Sequence, residues 1–427
     1  MKFIKYPKRI TWLQLVKRPA IDTIALEQTT AEILFKVKND GDSAIKKLSL
    51  KFDGVNLERT LVSKEEIKRA EQQCNSRLKK AISKAFNNIT KFHLAQKETE
   101  LHIETTKGVT CWRKSVGIEK VGLYIPGGSA PLFSTILMLG IPAKLAGCKE
   151  IILCTPPNRE GELDPAILFT AKLVGIDKIF KIGGVQAIAA MAYGTETVPK
   201  VYKIFGPGNQ YVACAKQLIN REGIAIDLPA GPSEVAIFAD QTCIPSYVAA
   251  DLLSQAEHGS DSQVVLVSCF ESVLKGILFE LEKQLNVLPR KAIAREALKN
   301  SKAVLLLNND EAFDFLNSYA PEHLIIASKN ASKLSARVVN AGSVFLGNYS
   351  CESAGDYASG TNHTLPTNGH AKAYSGVSLD SFVKKITFQK ITKKGIRLLG
   401  PVVELMADAE GLAAHKNAVT IRIKKQL

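Results

Sequence analysis

The stretch EIILCTPPNREGELDPAILFTAKLVGIDKIFKIGGVQAIAAMAYGTETVPKVYKIFGPGN (150–209) alternates short apolar runs with helical segments. EIILC (150–154) reads as a strand; a helix opens at Asp164-Pro165 and closes at Gly175; KIFKI (178–182) is a second strand; a helix follows Gly184; VYKIF (201–205) is a third strand. A helix over 210–221 and the run VAIFA (235–239) continue the alternation. Strands separated by helices pair in parallel, so the pattern predicts an α/β doubly wound sheet. A second series follows: a helix near 246–254, QVVLVS (263–268), helices over 271–300, AVLLL (303–307), a helix from Asp310, HLIIA (323–327), another helix and GSVFLG (342–347). Two α/β units facing one another across a crevice are expected.

Outward from this centre, residues 22–100 show apolar spacing near three and four, a break at Gly41 and a capping box at Ser63-x-x-Glu66, all pointing to helices. The tail from 377 reads as largely helical and suits an arm that packs on a neighbouring subunit. Val121–Ala143 carries no charge over a membrane-spanning length, but Pro126, Gly127, Gly128, Pro131, Gly140 and Pro142 would break a continuous helix, so strand, loop and buried helix are expected there. The charged N-terminus lacks the apolar core of a signal peptide. At 427 residues the chain calls for more than one domain. Its net charge of +15 is scattered as singles and pairs, a solvated surface and not a nucleic-acid patch. Eight cysteines without a C-x-x-C read as free thiols of a reducing, cytoplasmic setting.

In open α/β sheets ligands gather beyond the carboxyl ends of strands, where glycines let backbone N–H groups approach a phosphate. IGGVQ (182–186), FGPGN (205–209) and PAGPSE (229–234) occupy such loops, although none is a G-x-G-x-x-G fingerprint and each also serves as a tight turn. Acid and imidazole groups cluster at Gln255-x-x-His258, Glu322-His323, Asp356, and Glu410 with His415. Imidazole and carboxylate together suit Zn²⁺ or Mn²⁺, and a free His beside Glu can move protons. A lone His is more often a surface or satisfied core residue. Glu322-His323 falls between a helix and the next strand, where the strand-end rule gives it no place in the crevice.

In their order, the segments VGLYIPGGSAPLFSTILMLGIPAKLAGC (121–148), GGVQAIAAMAYGTE (183–196), KIFGPGN (203–209), DLPAGPSEV (227–235), DLLSQAEHGSDSQV (251–264), YAPEHL (319–324), AGSVFLGNYSCESAGDYASGTNHTLPT (341–367) and LAAHKNAVTIR (412–422) resemble the histidinol dehydrogenase family. The resemblance implies oxidation of L-histidinol to L-histidine with two NAD⁺ and one Zn²⁺ per subunit. By it the metal ligands are Gln255, His258, Asp356 and His415, and the acid–base pair is Glu322 and His323. The nicotinamide-cofactor contacts fall on Tyr124, Gln186 and Asn209; the substrate contacts fall on Ser233, Gln255, His258, His323, Asp356, Glu410 and His415. The implied assembly is a homodimer whose site is completed by the partner's C-terminal arm. The implied layout is two incomplete Rossmann-like domains: an N-terminal segment (1–23), a discontinuous first α/β domain (24–122 plus 234–376), a second, nucleotide-contacting domain (123–233) and the arm (377–427). Cys351 departs from the family pattern, in which Pro is commoner.

Other residues have plainer readings. Cys148 and Cys154 could trap an aldehyde as a thiohemiacetal, but their apolar neighbours favour packing. His93 and His102 read as surface residues of a helical region, His363 as a group near the site, and His370 as peripheral. The alternative function is a metal-dependent hydrolase or lyase in which Glu322-His323 activates a metal-bound water on a small imidazole- or amine-containing metabolite.

Overall fold

The computed structural model describes residues 1–18, 23–127, 131–229 and 231–424. Residues 19–22 at the end of the expected N-terminal segment, Gly128 of the glycine–proline loop and Ala230 of PAGPSE lie outside the described residues.

In chain order the first half holds β1 (Lys2–Lys5), α1 (Trp12–Leu15), α2 (Thr23–Phe52), α3 (Lys64–Gln73), α4 (Ser76–Leu94), β2 (His102–Thr106), β3 (Val109–Gly117), β4 (Lys120–Tyr124), α5 (Phe133–Leu145), β5 (Glu150–Thr155), α6 (Pro165–Val174), β6 (Lys178–Lys181), α7 (Gly184–Tyr193), β7 (Lys203–Phe205), α8 (Gln210–Arg221) and β8 (Ala225–Ile226). The second half holds β9 (Glu234–Ala239), α9 (Pro245–Ala256), β10 (Gln263–Ser268), α10 (Glu271–Val287), α11 (Lys291–Lys299), β11 (Lys302–Leu305), α12 (Asn309–Tyr319), β12 (His323–Ala327), α13 (Ala331–Leu334), β13 (Ser343–Leu346), α14 (Glu352–Tyr357), β14 (Val383–Ile391), α15 (Lys393–Ala409) and α16 (Ala413–Ile423).

Two parallel sheets result, in the orders β6-β5-β4-β7-β8 and β1-β11-β10-β9-β12-β13. The expected α/β class is therefore what the chain adopts. Counting strands within each half, both sheets run 3-2-1-4-5, and β1 extends the edge of the second. Helices cover both faces of each sheet, which is why EVAIFA and QVVLVS are buried along their whole length and read as unbroken apolar runs. One face of the first sheet is covered by α2, α7 and α8, the other by α3–α6. The second sheet is sandwiched by α9–α11 and by α1 with α12 and α13. Helices α2–α4 thus lean on the sheet of β4–β8, whereas the expected unit 24–122 plus 234–376 groups them with the other sheet, and its 122/123 boundary falls inside β4.

A third sheet was not expected. β14 pairs antiparallel with β3, which pairs with β2, so the tail begins with a nine-residue strand before its two helices. Its strands, HIETT, VTCWRKSVG and VKKITFQKI, are mostly exposed or half-buried, and their lysines and threonines hide the apolar alternation that marks a strand. Trp112 fixes the register by stacking between His102 (4.8 Å) and Phe388 (5.3 Å). His102 is accordingly a strand residue, and His93, expected on the surface, is buried in α4 against the Ile89 carbonyl.

One glycine shapes the crevice of the first sheet. Gly206 (φ 132°) ends β7 beside β4, and a Cβ there would stand 2.0 Å from the Tyr124 carbonyl oxygen. The strands meet at the point where the strand order reverses, and only glycine allows that approach.

Candidate active site

The amino ends of β9 and β12 lie side by side, with His323 in register with Val235. This places Glu322 and His323 against Glu234. The Glu234 N–H donates to Glu322 Oε2 (2.8 Å), and the Glu234 carbonyl faces His323 Nδ1 (3.1 Å). A carbonyl only accepts, so Nδ1 carries the proton and Nε2 holds the lone pair when the ring is neutral. Nε2 then stands 3.4 Å from Asp356 Oδ1, without hydrogen-bond geometry; both atoms are buried and have no hydrogen-bond partner. The carboxyl-end rule offered no place for the pair because this centre is built on the opposite, amino edge of its sheet.

Around that edge, α9 carries Gln255 in its last turn and the following turn carries His258, while α14 presents Glu352 and Asp356 one turn apart. Ligand atoms of His258, Glu352 and Asp356 all lie within 4.8 Å of one another. Glu352 is not among the residues expected from the sequence, yet its i, i+4 spacing from Asp356 in ESAGDY was the available signal. Gln255 is buried. In the amide orientation that satisfies its neighbours, its NH₂ donates to both Glu352 oxygens (2.6 and 3.1 Å) and its oxygen accepts from the Glu234 N–H (3.1 Å). Cys351 precedes α14 with φ −74°, a value that a proline at this position could also take.

Burial raises Glu322 to about 7 and Glu352 to about 8. For His323 burial works against the cation, but the carboxyls of Glu322, Asp356 and Glu352 outweigh it and raise the ring to about 10. For Asp356 burial pushes upward, and His323 outweighs it and holds the carboxyl low. Three acids crowded on one imidazolium form a site that lacks positive charge. The nitrogen and oxygen donors and the two partnerless atoms fit a divalent cation.

The Gln255–Glu352 contact also accounts for an amide at 255, where the resemblance puts a metal ligand and a carboxylate would be commoner. A glutamate at 255 would set two carboxylates against each other in a buried position. Gln255→Glu is expected to weaken zinc binding about 10–100-fold in a chelator competition, the range for losing a hydrogen-bond partner of a metal ligand. The double change Gln255→Glu with Glu352→Gln restores a carboxylate–amide pair and should recover most of the loss. Equal zinc affinity in Gln255→Glu and the parent would refute this account.

Ser233 immediately precedes β9 and so adjoins the pair. His363 is half-buried beside Asp356: its Nδ1 lies 2.9 Å from the Asp356 carbonyl and its Nε2 3.1 Å from Thr135 Oγ1 on α5. His370 is half-buried in a short turn. Glu410 and His415 are not brought to the cluster. Both are exposed on the tail, where α15 and α16 pack chiefly on each other and α15 leans on β14 and β2.

A second centre occupies the carboxyl ends of β4–β7, where the strand-end rule expects it. A cavity of about 960 Å³ is lined by Tyr124, Gln186 and Asn209 together with Asp53, Pro156 and Gly184. The Tyr124 hydroxyl accepts from the Gly184 N–H (3.0 Å), and burial pushes the phenol up to about 12, so it stays a neutral donor. Gln186 reaches Asp53 (3.5 Å), an acid just past the C-terminus of the kinked helix α2 that the sequence did not single out. Asn209 caps α8, its Oδ1 accepting from the Tyr211 and Val212 N–H groups (3.1 Å each), which leaves its NH₂ available. Cys148 and Cys154 are buried; burial raises Cys148 to about 11 and Cys154 further, so neither is a thiolate nucleophile at neutral pH.

The histidinol dehydrogenase family model matches residues 16–423. The chain belongs to the histidinol dehydrogenase family. It is 58% identical over 423 residues to a histidinol dehydrogenase of Bacteroides thetaiotaomicron, covering 99% of both chains. It is 52% identical to the chloroplastic histidinol dehydrogenase of Arabidopsis thaliana, covering 96% of this chain and 88% of that one. A crystal structure of histidinol dehydrogenase from Elizabethkingia anophelis superposes with a TM-score of 0.97 at 55% identity, covering 99% of this chain and 98% of the other. Membership makes the chain an NAD-dependent oxidoreductase of histidine biosynthesis, and the fold holds one candidate centre on each parallel sheet.

Proposed function

We propose that the chain oxidises L-histidinol to L-histidine through L-histidinaldehyde, consuming two NAD⁺ in turn, with one Zn²⁺ per subunit, as the final two steps of histidine biosynthesis. The observation that carries this reading is the pairing of His323 and Glu322 on the backbone of Glu234, with His323 Nε2 and Asp356 Oδ1 buried and without hydrogen-bond partners beside His258.

His323 removes the hydroxyl proton in the first oxidation through Nε2, while its Nδ1–H stays on the Glu234 carbonyl; a cation held at His258 and Asp356 would offset the carboxyl charge that otherwise keeps this ring protonated, leaving Nε2 free to act as a base. Glu322 takes a proton from the water that attacks the aldehyde before the second oxidation. Tyr124, Gln186 and Asn209 would hold NAD⁺ in their cavity, where it would supply the hydride acceptor for each of the two oxidations. Gln255, His258, Asp356 and the partner subunit's His415 would hold the Zn²⁺, which would anchor the substrate imidazole and amine. Ser233, Gln255, His258, His323 and Asp356, with the partner subunit's Glu410 and the partner subunit's His415, contact the substrate. Support for a homodimer comes from the tail, where Leu398, Val402, Leu405 and Met406 expose an apolar face of α15. Eight free cysteines suit the reducing cytoplasm.

The test is NADH formation at 340 nm from zinc-loaded protein and L-histidinol, with and without a chelator. Two NADH per histidinol, lost on chelation and regained with zinc, is the expected result. One NADH per histidinol would remove the second oxidation, and none from folded, zinc-loaded dimer would remove the dehydrogenase reading.

A further inference from the structure

Both members of the proposed acid–base pair hang on one residue, and that residue is itself clamped. Glu234 has a side chain only 1% exposed, and Arg18 grips it with two parallel bonds, Nε to Oε1 and Nη2 to Oε2, each 2.7 Å. The Asn368 N–H adds a third bond to Oε1 (2.9 Å). Arg18 is in turn immobilised. Its Nη2 donates to the Tyr319 carbonyl (2.8 Å), its Nη1 to the Val16 carbonyl (3.0 Å), and its guanidinium lies 3.8 Å from the centre of the Tyr319 ring. The Tyr319 hydroxyl is fixed by Gln263 Oε1 on β10 (2.9 Å).

The segment that supplies Arg18 is anchored too: β1 pairs along β11, and Trp12 packs edge-on against Phe315 (5.4 Å). The path runs from the N-terminal segment through a rigid two-pronged fork to Glu234. From there the peptide N–H reaches Glu322 and the carbonyl reaches His323.

We infer that Arg18 is a positioning residue for the acid–base pair, acting through Glu234 to fix the peptide from which Glu322 and His323 are hung. It touches neither proton-transfer group, and nothing in the reaction itself calls for it. A planar fork is required: a lysine carries the charge but makes one point contact, leaving the Glu234 backbone free to turn. The inference rests on the reading of Glu322 and His323 given above.

The test uses the full-length, zinc-loaded enzyme carrying Arg18→Lys or Arg18→Ala. Arg18→Lys is expected to lower kcat about tenfold or more while KM for histidinol and NAD⁺ stays within about twofold and zinc content stays at the parent level. Arg18→Ala should lose more, and millimolar guanidinium, which can refill the vacated fork, should return part of its kcat. A merely structural role would predict losses that follow the folded fraction and no guanidinium rescue. Parent-like kcat in Arg18→Lys, or a fall in kcat matched by lost zinc without rescue in Arg18→Ala, would overturn the inference. If Arg18→Ala does not fold, the kcat-against-KM split of Arg18→Lys decides alone. A parent enzyme that forms no NADH would instead remove the underlying reading.

Discussion

His323→Asn in the zinc-loaded enzyme is expected to lower kcat by about 10²–10⁴-fold, the range for loss of a positioned general base. Asparagine is chosen because its amide can still donate to the Glu234 carbonyl, so the peptide that also holds Glu322 stays in place while the Nε2 lone pair disappears. Alanine would add a cavity at a buried strand end and confuse lost chemistry with lost packing. Glu322→Gln makes a sharper companion. Its amide oxygen still accepts from the Glu234 N–H, but it cannot take a proton from water. The first NADH should therefore form faster than the second, and aldehyde should accumulate and be trapped by semicarbazide. Equal slowing of both oxidations by Glu322→Gln would place the two residues in one shared role. Parent-like rates in His323→Asn would remove it from the chemistry.

The second large effect is a recovery. His323→Asn and His415→Ala should each be nearly inactive as homodimers, yet subunits of the two variants, unfolded together and refolded as a mixture, should regain roughly a quarter of the parent activity. Random pairing makes about half of the dimers mixed, and each mixed dimer has one site with both residues intact, a consequence of two-fold symmetry. The ground for expecting shared sites is that Glu410, just past α15, and His415, on α16, stand exposed while His258, Glu352 and Asp356 gather without them at a sheet edge of the same chain. If His415 instead folded back onto its own chain's cluster, every mixed dimer would carry two damaged sites and the mixture would stay inactive. The measurement needs only steady-state NADH formation against the ratio of the two variants.

The parallel strands were legible because sheet faces are covered by helices, which leaves runs such as QVVLVS and HLIIA buried from end to end with a continuous apolar centre. The turn and cap chemistry was legible for the same local reason: Ser63 and Glu66 form the expected capping box, and Gly41 breaks α2. The antiparallel sheet was not, since β2, β3 and β14 bury little and are rich in lysine and threonine. His93 was misjudged because a helix pattern gives spacing but not which face another element will cover. Asp53 lay in a helical region with no signal that it would border a cavity at the ends of strands far along the chain.

By itself, then, the sequence determined the α/β class, the alternation of parallel strands and helices through the two α/β series, and the glycine loops that open the first sheet's crevice, because these depend on periodicity and on local backbone freedom. Motif resemblance added the residues with chemistry to perform. Only the tertiary structure decided that the 3-2-1-4-5 order sets β9 beside β12, so that Glu322 and His323 meet Glu234 at an amino edge that the strand-end rule ignores. It alone brought Glu352 onto Gln255 and Arg18 onto Glu234, pairs separated by 97 and 216 positions in the chain. Periodicity reports how a segment meets water; it carries no information on which buried charge a distant segment will be asked to balance, and that balance is what builds this site.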